Sequence, residues 1–226
     1  MFPNLQEEKK FRKKGYKIIV GLDEAGRGAL AGPVVAAAVL LKKNLKSKSS
    51  VFFLREVKDS KQLSPRQREK LYQLIIKSKN IQWGIGMVSE KVIDKINILE
   101  STKLAMIKAV KNLERKIRRR IEVLILDGNF ILSIKYLVKL KIDSNIIQKS
   151  IKKADIKVLS CACASILAKT FRDRLMKKEN KKYPKYKFTR HKGYGTKFHF
   201  KVLKKYGPCK IHRKTFRPIK NKSKIS

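Results

Sequence analysis

Gly21-Leu22-Asp23-Glu24-Ala25-Gly26-Arg27-Gly28 is the stretch on which the reading of this chain turns. An apolar run, Ile18 to Val20, leads into it, and a first strand is predicted over residues 16–22. Two adjacent carboxylates then stand where that strand ends, and a Gly-Arg-Gly turn follows at once. Carboxylates held away from water are costly unless something positive neutralises them. Arg27 could do so, and so could a divalent metal. The glycines would let a phosphate or sugar come close to the backbone. Metal-dependent phosphodiester chemistry is the reading to carry outward.

Beyond the turn, Val34 to Leu41 is rich in Val and Ala, the mark of a strand buried on both faces, with Arg27 to Pro33 as the connecting turn. Lys42 to Ser50 reads as a polar loop. Ser64-Pro65-Arg66-Gln67 has the form of a capping box with proline at the first helical position, so a helix is predicted from there to about Lys79. Ile81 to Val88 alternates as a strand does. Ser89 to about Arg118 carries Leu99, Met106, Val110, Leu113 and Ile117 at helical spacing, a packing stripe. Ile121 to Leu126 is a continuous apolar run ending at Asp127-Gly128-Asn129, as central strands do. A short strand is predicted at Asn145 to Ile151, and a helix from about Lys157 to Lys178 after Lys153-Ala154-Asp155. From Asn180 the chain is basic, aromatic and broken by Gly and Pro, and residues 219–226 are expected to be a disordered basic tail. Alternating strands and helices give an α/β fold. If the strands ending at Asp23 and Asp127 are parallel, both acids lie at one edge of the sheet, where open α/β sheets place their sites.

The chain has 226 residues, 42% hydrophobic, enough for one domain with a proper core. Lys and Arg number 58 against 17 Asp and Glu, a net charge of +41, which points to a polyanionic partner, nucleic acid first. Much of the excess is lysine spread along the chain, as biased composition alone would produce. No apolar run is long enough for a membrane helix, and Met1 to Lys14 lacks the apolar core of a secretory signal. The three cysteines are an odd number, which argues against a disulfide framework and for a reducing, cytoplasmic setting. Cys161 and Cys163, in a run of small residues, read as buried helix positions.

The acids Asp23, Glu24, Asp127 and Asp155 all sit at predicted element boundaries beside Gly or small residues. Hard oxygen ligands of this kind are what a pair of divalent ions requires. Each acid alone also has a structural reading: Asp127-Gly128 is a common turn, Asp155 can cap a helix, and Asp23-Glu24 can pair with Arg27.

With Leu30-Ala31-Gly32-Pro33-Val34-Val35 behind it, the opening stretch resembles the signature of the ribonuclease HII family, the type 2 ribonucleases H. Further landmarks fall in family order: Asp59-Ser60-Lys61, Leu126-Asp127-Gly128-Asn129, Lys153-Ala154-Asp155, Ala164-Ser165-Ile166-Leu167-Ala168-Lys169, Arg172-Asp173, His191-Lys192-Gly193-Tyr194-Gly195-Thr196, His212-Arg213, and Phe216 with Pro218. The resemblance covers about residues 16–218. Ala29 replaces a proline common after the turn, and Cys161 and Cys163 replace apolar or Ala residues, without touching an acid. The related type HIII family carries an extra N-terminal domain and lacks this Gly-Arg-Gly, and the extension at 1–15 is too short for that domain.

The resemblance implies a ribonuclease-H-like mixed sheet flanked by helices, with a C-terminal helical, basic extension contributing to substrate binding at about 180–218. It makes Asp23, Glu24, Asp127 and Asp155 the catalytic, metal-binding acids, with two Mn²⁺ or Mg²⁺ ions per site. The implied reaction is hydrolysis of RNA in RNA·DNA hybrids and nicking of duplex DNA at embedded ribonucleotides, as in ribonucleotide excision repair and DNA replication, leaving 3′-hydroxyl and 5′-phosphate ends. Gly26, Arg27 and Gly28 would read the ribose 2′-hydroxyl, and Tyr194 would pack on the following sugar. Lys61 and Lys169 would contact phosphates. His191 and His212 could approach the substrate or make structural hydrogen bonds. A monomer is expected, and a replication clamp stays open as a partner. The alternatives are a ribonuclease-H-like nuclease acting on another structure, such as a DNA junction, and a non-catalytic basic RNA-binding protein.

Overall fold

A computed structural model describes residues 2–43, 52–58 and 60–220. Five strands form one mixed sheet: β1 (Ile19–Ala25), β2 (Val34–Leu41), β3 (Ile81–Val88), β4 (Val123–Asp127) and β5 (Ile147–Ile151), in the spatial order β3-β2-β1-β4-β5. β1 pairs antiparallel with β2, which pairs antiparallel with β3. On its other side β1 runs parallel to β4, and β4 parallel to β5. The helices are α1 (Gln6–Lys13), α2 (Pro65–Lys77), α3 (Glu90–Ile117), α4 (Ile134–Lys139), α5 (Leu159–Lys182), α6 (Phe188–His191) and α7 (Lys197–Tyr206).

β2 shows why the sheet is covered on both sides. Val34, Ala36, Ala38 and Leu40 join the core with Met106, Val110 and Leu113 of α3. Their neighbours Val35, Ala37, Val39 and Leu41 join the opposite core, with Ala162, Cys163, Ala164 and Leu167 of α5. Alternate side chains point to opposite faces, so a strand that is apolar throughout needs a helix on each. Small residues suit this central position, and Cys161 and Cys163 are fully buried in α5 as read. The Ser64 cap forms as predicted: its side chain accepts the Gln67 N–H, and the Gln67 side chain accepts the Ser64 N–H.

Several elements differ from the sequence reading. β1 runs on through Asp23 and Glu24 to Ala25, because residues 20–25 pair with Leu40 to Val35 of β2. The long helix is broken at Asn97 (φ 64°), whose side chain accepts the N–H groups of Leu99 and Glu100 and so caps its second half. The amino-terminal residues carry α1, which packs on the sheet's α5 side. Buried Glu8 accepts the N–H and hydroxyl of Ser160 at 3.1 and 2.7 Å, serving the first turn of α5. Residues 44–50 of the predicted loop at 42–50, Asp59, and residues 221–226 of the expected tail at 219–226 lie outside the described residues; Ile219, at the start of that tail, is buried with Phe188 and Leu203.

After α5 the chain returns across the turn that joins β1 to β2. Leu30 and Ala31 pack there with Met176, Phe188, Val202 and Leu203. The three histidines share this core. The His191 and His199 rings stack at 4.1 Å, and His199 Nε2 lies 3.1 Å from His212 Nε2. His191 and His212 thus make structural hydrogen bonds, including those to Tyr186 O and from the Cys209 N–H.

Candidate active site

Strand register builds the centre. Leu22 of β1 pairs with Leu126 of β4, so the next residues, Asp23 and Asp127, emerge side by side where the parallel pairing of the two strands ends. Asp127 Oδ1 accepts the Ala154 N–H at 2.6 Å. That bond ties the 3-10 turn Ala154–Ile156 to the end of β4 and brings in Asp155. Carboxylate oxygens of Asp23, Asp127 and Asp155 lie within 4.8 Å of one another. Asp155 therefore does not cap α5, which begins at Leu159.

Glu24 lies beside this group. Its Oε1 is 3.4 Å from Arg27 Nη1, while its Oε2 is buried with no hydrogen-bond partner among the described residues. Burial, then the charges of Glu24 and Asp127, push the Asp23 carboxyl well above its usual range. Burial likewise pushes Glu24 up to about 7, against the pull of Arg27 and with the repulsion of Asp127. A cluster this crowded, with hard oxygen donors and a vacant buried lone pair, fits a divalent cation that supplies the missing positive charge.

The Gly26-Arg27-Gly28 turn directly follows β1. Gly26 has φ 96°, and a Cβ there would lie 2.1 Å from Arg172 Nε. A Cβ at Gly28 would meet nothing within 4 Å, so that side of the turn is open. Arg27 is exposed, with its guanidinium 5.6 Å from the Phe130 ring. Among the described residues, the N–H groups of Arg27 and Gly28 have no protein acceptor.

Tyr194 is half-buried and bridged to this turn through Ala29. Its ring faces two cations, with Lys169 Nζ at 5.4 Å and the Arg172 guanidinium at 5.2 Å. Lys169 also pairs with Asp173 at 2.7 Å. Tyr194 and Lys169 line a cavity of about 310 Å³ together with Arg68, Arg174, Arg190 and Lys192. Lys61 reaches out from the other side, 81% exposed, with Nζ 3.8 Å from Asp155 Oδ2. A larger cavity of about 850 Å³ lies at the opposite end of the sheet, bordered by Tyr16, Leu41 and Ile117, with no acid in its lining.

The structure thus gathers Asp23, Asp127 and Asp155 tightly, sets Glu24 and the Gly26–Gly28 turn against them, and places Tyr194, Lys169 and Lys61 around the rim. Some groups at the site had no role in the sequence reading. Ser165 Oγ lies 2.8 Å from Ser60 Oγ, and its hydroxyl works against the rise of the Asp23 carboxyl. Arg172 and Arg213 are wholly buried beneath the turn. Their signal in the sequence was only their place in ordered motifs, because one more arginine in so basic a chain does not stand out.

The model of the ribonuclease HII family matches residues 20–219. A ribonuclease HII of Acetivibrio thermocellus is 49% identical over 210 residues, which are 92% of this chain and 73% of that protein. One of Caldicellulosiruptor bescii is 46% identical over 209 residues, 92% of this chain and 91% of its own. Among solved structures, the ribonuclease H2 of Pyrococcus horikoshii OT3 has a TM-score of 0.68 at 28% identity, covering 90% of this chain and 95% of that one. Likeness of this extent, in sequence and in backbone, leaves one assignment: the chain belongs to the ribonuclease HII family, metal-dependent endoribonucleases that cleave the RNA strand of RNA·DNA hybrids.

Proposed function

We propose that this enzyme, besides cleaving hybrid RNA, nicks duplex DNA at an embedded ribonucleotide and leaves 3′-hydroxyl and 5′-phosphate ends. The observation that carries the reading is the juxtaposition of two things at one strand end. Carboxylate oxygens of Asp23, Asp127 and Asp155 stand within 4.8 Å of one another, and the turn after Ala25 holds the exposed residues Arg27 and Gly28, whose N–H groups have no protein acceptor among the described residues. Asp23, Glu24, Asp127 and Asp155 would hold two divalent ions, Mg²⁺ or Mn²⁺. When bound, such ions lower the pKa of an attacking water and stabilise the leaving 3′ oxygen.

The chain's own residues supply recognition. The amides of Arg27 and Gly28 donate to the ribose 2′-hydroxyl, the group that distinguishes RNA from DNA at the cut, and to the adjacent phosphate. Gly28, with no side chain to block the approach, lets the sugar reach the backbone. Tyr194 packs on the following sugar, its face held by Lys169 and Arg172. Lys61, Lys169 and the cationic cavity beside Tyr194 take phosphates, which position the duplex without reading its sequence. This specificity suits ribonucleotide removal from DNA by a monomer in the cytoplasm. None of the described helices is long and apolar enough to cross a membrane. A non-catalytic RNA-binding protein leaves the buried acid cluster without a purpose, and an enzyme for DNA junctions leaves the turn beside it without one.

The test is a set of end-labelled duplexes, with DNA carrying one embedded ribonucleotide, its all-DNA twin, RNA·DNA and RNA·RNA compared under Mg²⁺ and Mn²⁺. A nick at the embedded ribonucleotide with 3′-hydroxyl and 5′-phosphate ends, and none in the all-DNA twin, supports the reading; an embedded ribonucleotide left uncut while RNA·DNA is cleaved, or cleavage of RNA·RNA at a comparable rate, overturns it.

A further inference from the structure

Two arginines lie beneath the turn with their guanidiniums out of water. Arg213 and Arg172 are each 0% exposed. Among the described residues neither has a carboxylate within ion-pairing distance. Every hydrogen-bond partner of their side chains among the described residues is a backbone carbonyl. Arg213 donates from Nη2 to Gly26 O at 2.7 Å and from Nη1 to Arg27 O at 2.8 Å, and from Nε and Nη2 to Gly32 O at 3.0 and 2.9 Å. Arg172 donates to Ala31 O at 3.0 Å, Pro33 O at 2.9 Å and Lys192 O at 2.9 Å, and its guanidinium faces the Tyr194 ring.

Burying a cation without an anionic partner is costly, and pinning a loop to a core does not require a charge. What the guanidinium offers is a rigid planar fork of donors that can take several carbonyls at fixed angles. On Arg213 that fork collects the carbonyls of Gly26 and Arg27 from below. Peptide planes held with their oxygens inward turn the following N–H groups, those of Arg27 and Gly28, outward. These are the amides without a protein acceptor. Arg172 fixes the facing loop, so the turn and Tyr194 are held to one another. The backbone continues the link: Leu30 donates to Gly193 O at 2.8 Å, and the Arg213 N–H donates to Leu30 O at 2.9 Å.

We propose that Arg213, with Arg172 beside it, is a positioning residue that presets the amides of Arg27 and Gly28 for the ribose before substrate arrives. The proposal rests on the assignment of ribose reading to that turn. Positioning of this sort acts on the rate: misplacement by about 1 Å can cost on the order of a hundredfold. Affinity for plain duplex, carried by phosphate contacts elsewhere, should not change.

The test uses the full chain and two variants, Arg213→Lys, which keeps the charge and loses the fork, and Arg213→Ala. Single-turnover nicking of a duplex with one ribonucleotide is measured at saturating enzyme, alongside affinity for the all-DNA duplex. We expect Arg213→Lys to nick about thirtyfold or more slowly with unchanged affinity. Arg213→Ala should regain rate when methylguanidinium is added. In the free enzyme, ¹⁵N order parameters at Arg27 and Gly28 should fall in Arg213→Lys. Nicking by Arg213→Lys within threefold of wild type overturns the proposal, as do unchanged order parameters. Loss of cooperative melting in both variants would place Arg213 in the fold and also overturn it. A wild-type enzyme that fails to nick would refute the substrate reading instead, and the order parameters would still decide the clamp.

Discussion

Replacing Asp23 by Asn should make the metal-free protein more stable while abolishing its activity. Asp23 is buried, and its carboxylate shares a 4.8 Å cluster with Asp127 and Asp155. Two like charges at that distance repel by about 3 kcal/mol at an effective dielectric of about 20. Part of this is relieved in the wild type, because burial and its neighbours raise the Asp23 carboxyl so that it holds a proton more readily. The folded state then retains a proton that the unfolded chain has released. Its stability therefore falls as pH rises from the ordinary carboxylate range towards the raised value. Asn lacks that penalty, so a gain of about 1–3 kcal/mol is expected near neutral pH. For a chain of this size that is roughly 3–9 °C in Tm. Thermal melts in EDTA and in Mn²⁺ measure it. Wild type should gain about 2.7 kcal/mol in Mn²⁺ at a hundred times its Kd, and the variant should lose most of that gain. Two results would refute the reasoning: a variant that melts below wild type in EDTA, or one that keeps the full Mn²⁺ shift together with more than about a tenth of the nicking rate, a barrier change of roughly 1.4 kcal/mol.

Gly28→Ala adds a methyl where the protein has nothing within 4 Å, so melting should be unchanged while nicking falls about tenfold or more, roughly 1.4 kcal/mol of barrier. A variant as fast as wild type would move the sugar away from that side of the turn. Tyr194→Ala should slow cleavage at an isolated ribonucleotide while leaving affinity for all-DNA duplex intact, because phosphates carry affinity. Equal losses of affinity for both duplexes, with the rate preserved, would make the tyrosine a packing residue. Burial, then His191 and His212, lower His199 to about 4. As pH falls from about 6.5 the unfolded chain protonates first, so this histidine's contribution, about 2–3 kcal/mol, is present above 6.5 and lost between 6.5 and about 4. Glu24 works in the opposite sense over part of that window, so the quantity to follow is the difference in urea midpoint between wild type and His199→Gln, which should shrink on acidification.

Much of the fold was legible because its central strands are apolar on both faces and α2 and α3 carry periodic apolar residues. β2, α2 and β4 are set by local pattern, and the Ser64 capping box fixes the start of α2. Elements whose reason is tertiary were harder to read. α1 is a polar helix that finds its place through Glu8 at the start of α5, a contact 152 residues away in sequence. The break in α3 depends on the side chain of a single asparagine. β1 extends past the acids because β2 pairs with it there, which outweighs the turn signal of Gly26. The acids were readable at strand ends and beside glycines, but their grouping required parallel pairing of β1 with β4 and the Asp127 bond to Ala154. Arg172 and Arg213 stayed hidden for a different reason. Composition marks a buried acid as unusual in this chain and marks a buried arginine as ordinary, and only the carbonyls around each guanidinium separate it from the solvated lysines.

Metal-dependent nicking at the acid cluster is measured on a duplex containing one ribonucleotide and on its all-DNA twin, each incubated with wild type and with Asp127→Asn in Mg²⁺, Mn²⁺ or EDTA. A single nick at the ribonucleotide with 3′-hydroxyl and 5′-phosphate ends is expected, made only by wild type and only with metal. Cutting of the all-DNA twin, cutting in EDTA, or full activity in Asp127→Asn would contradict it.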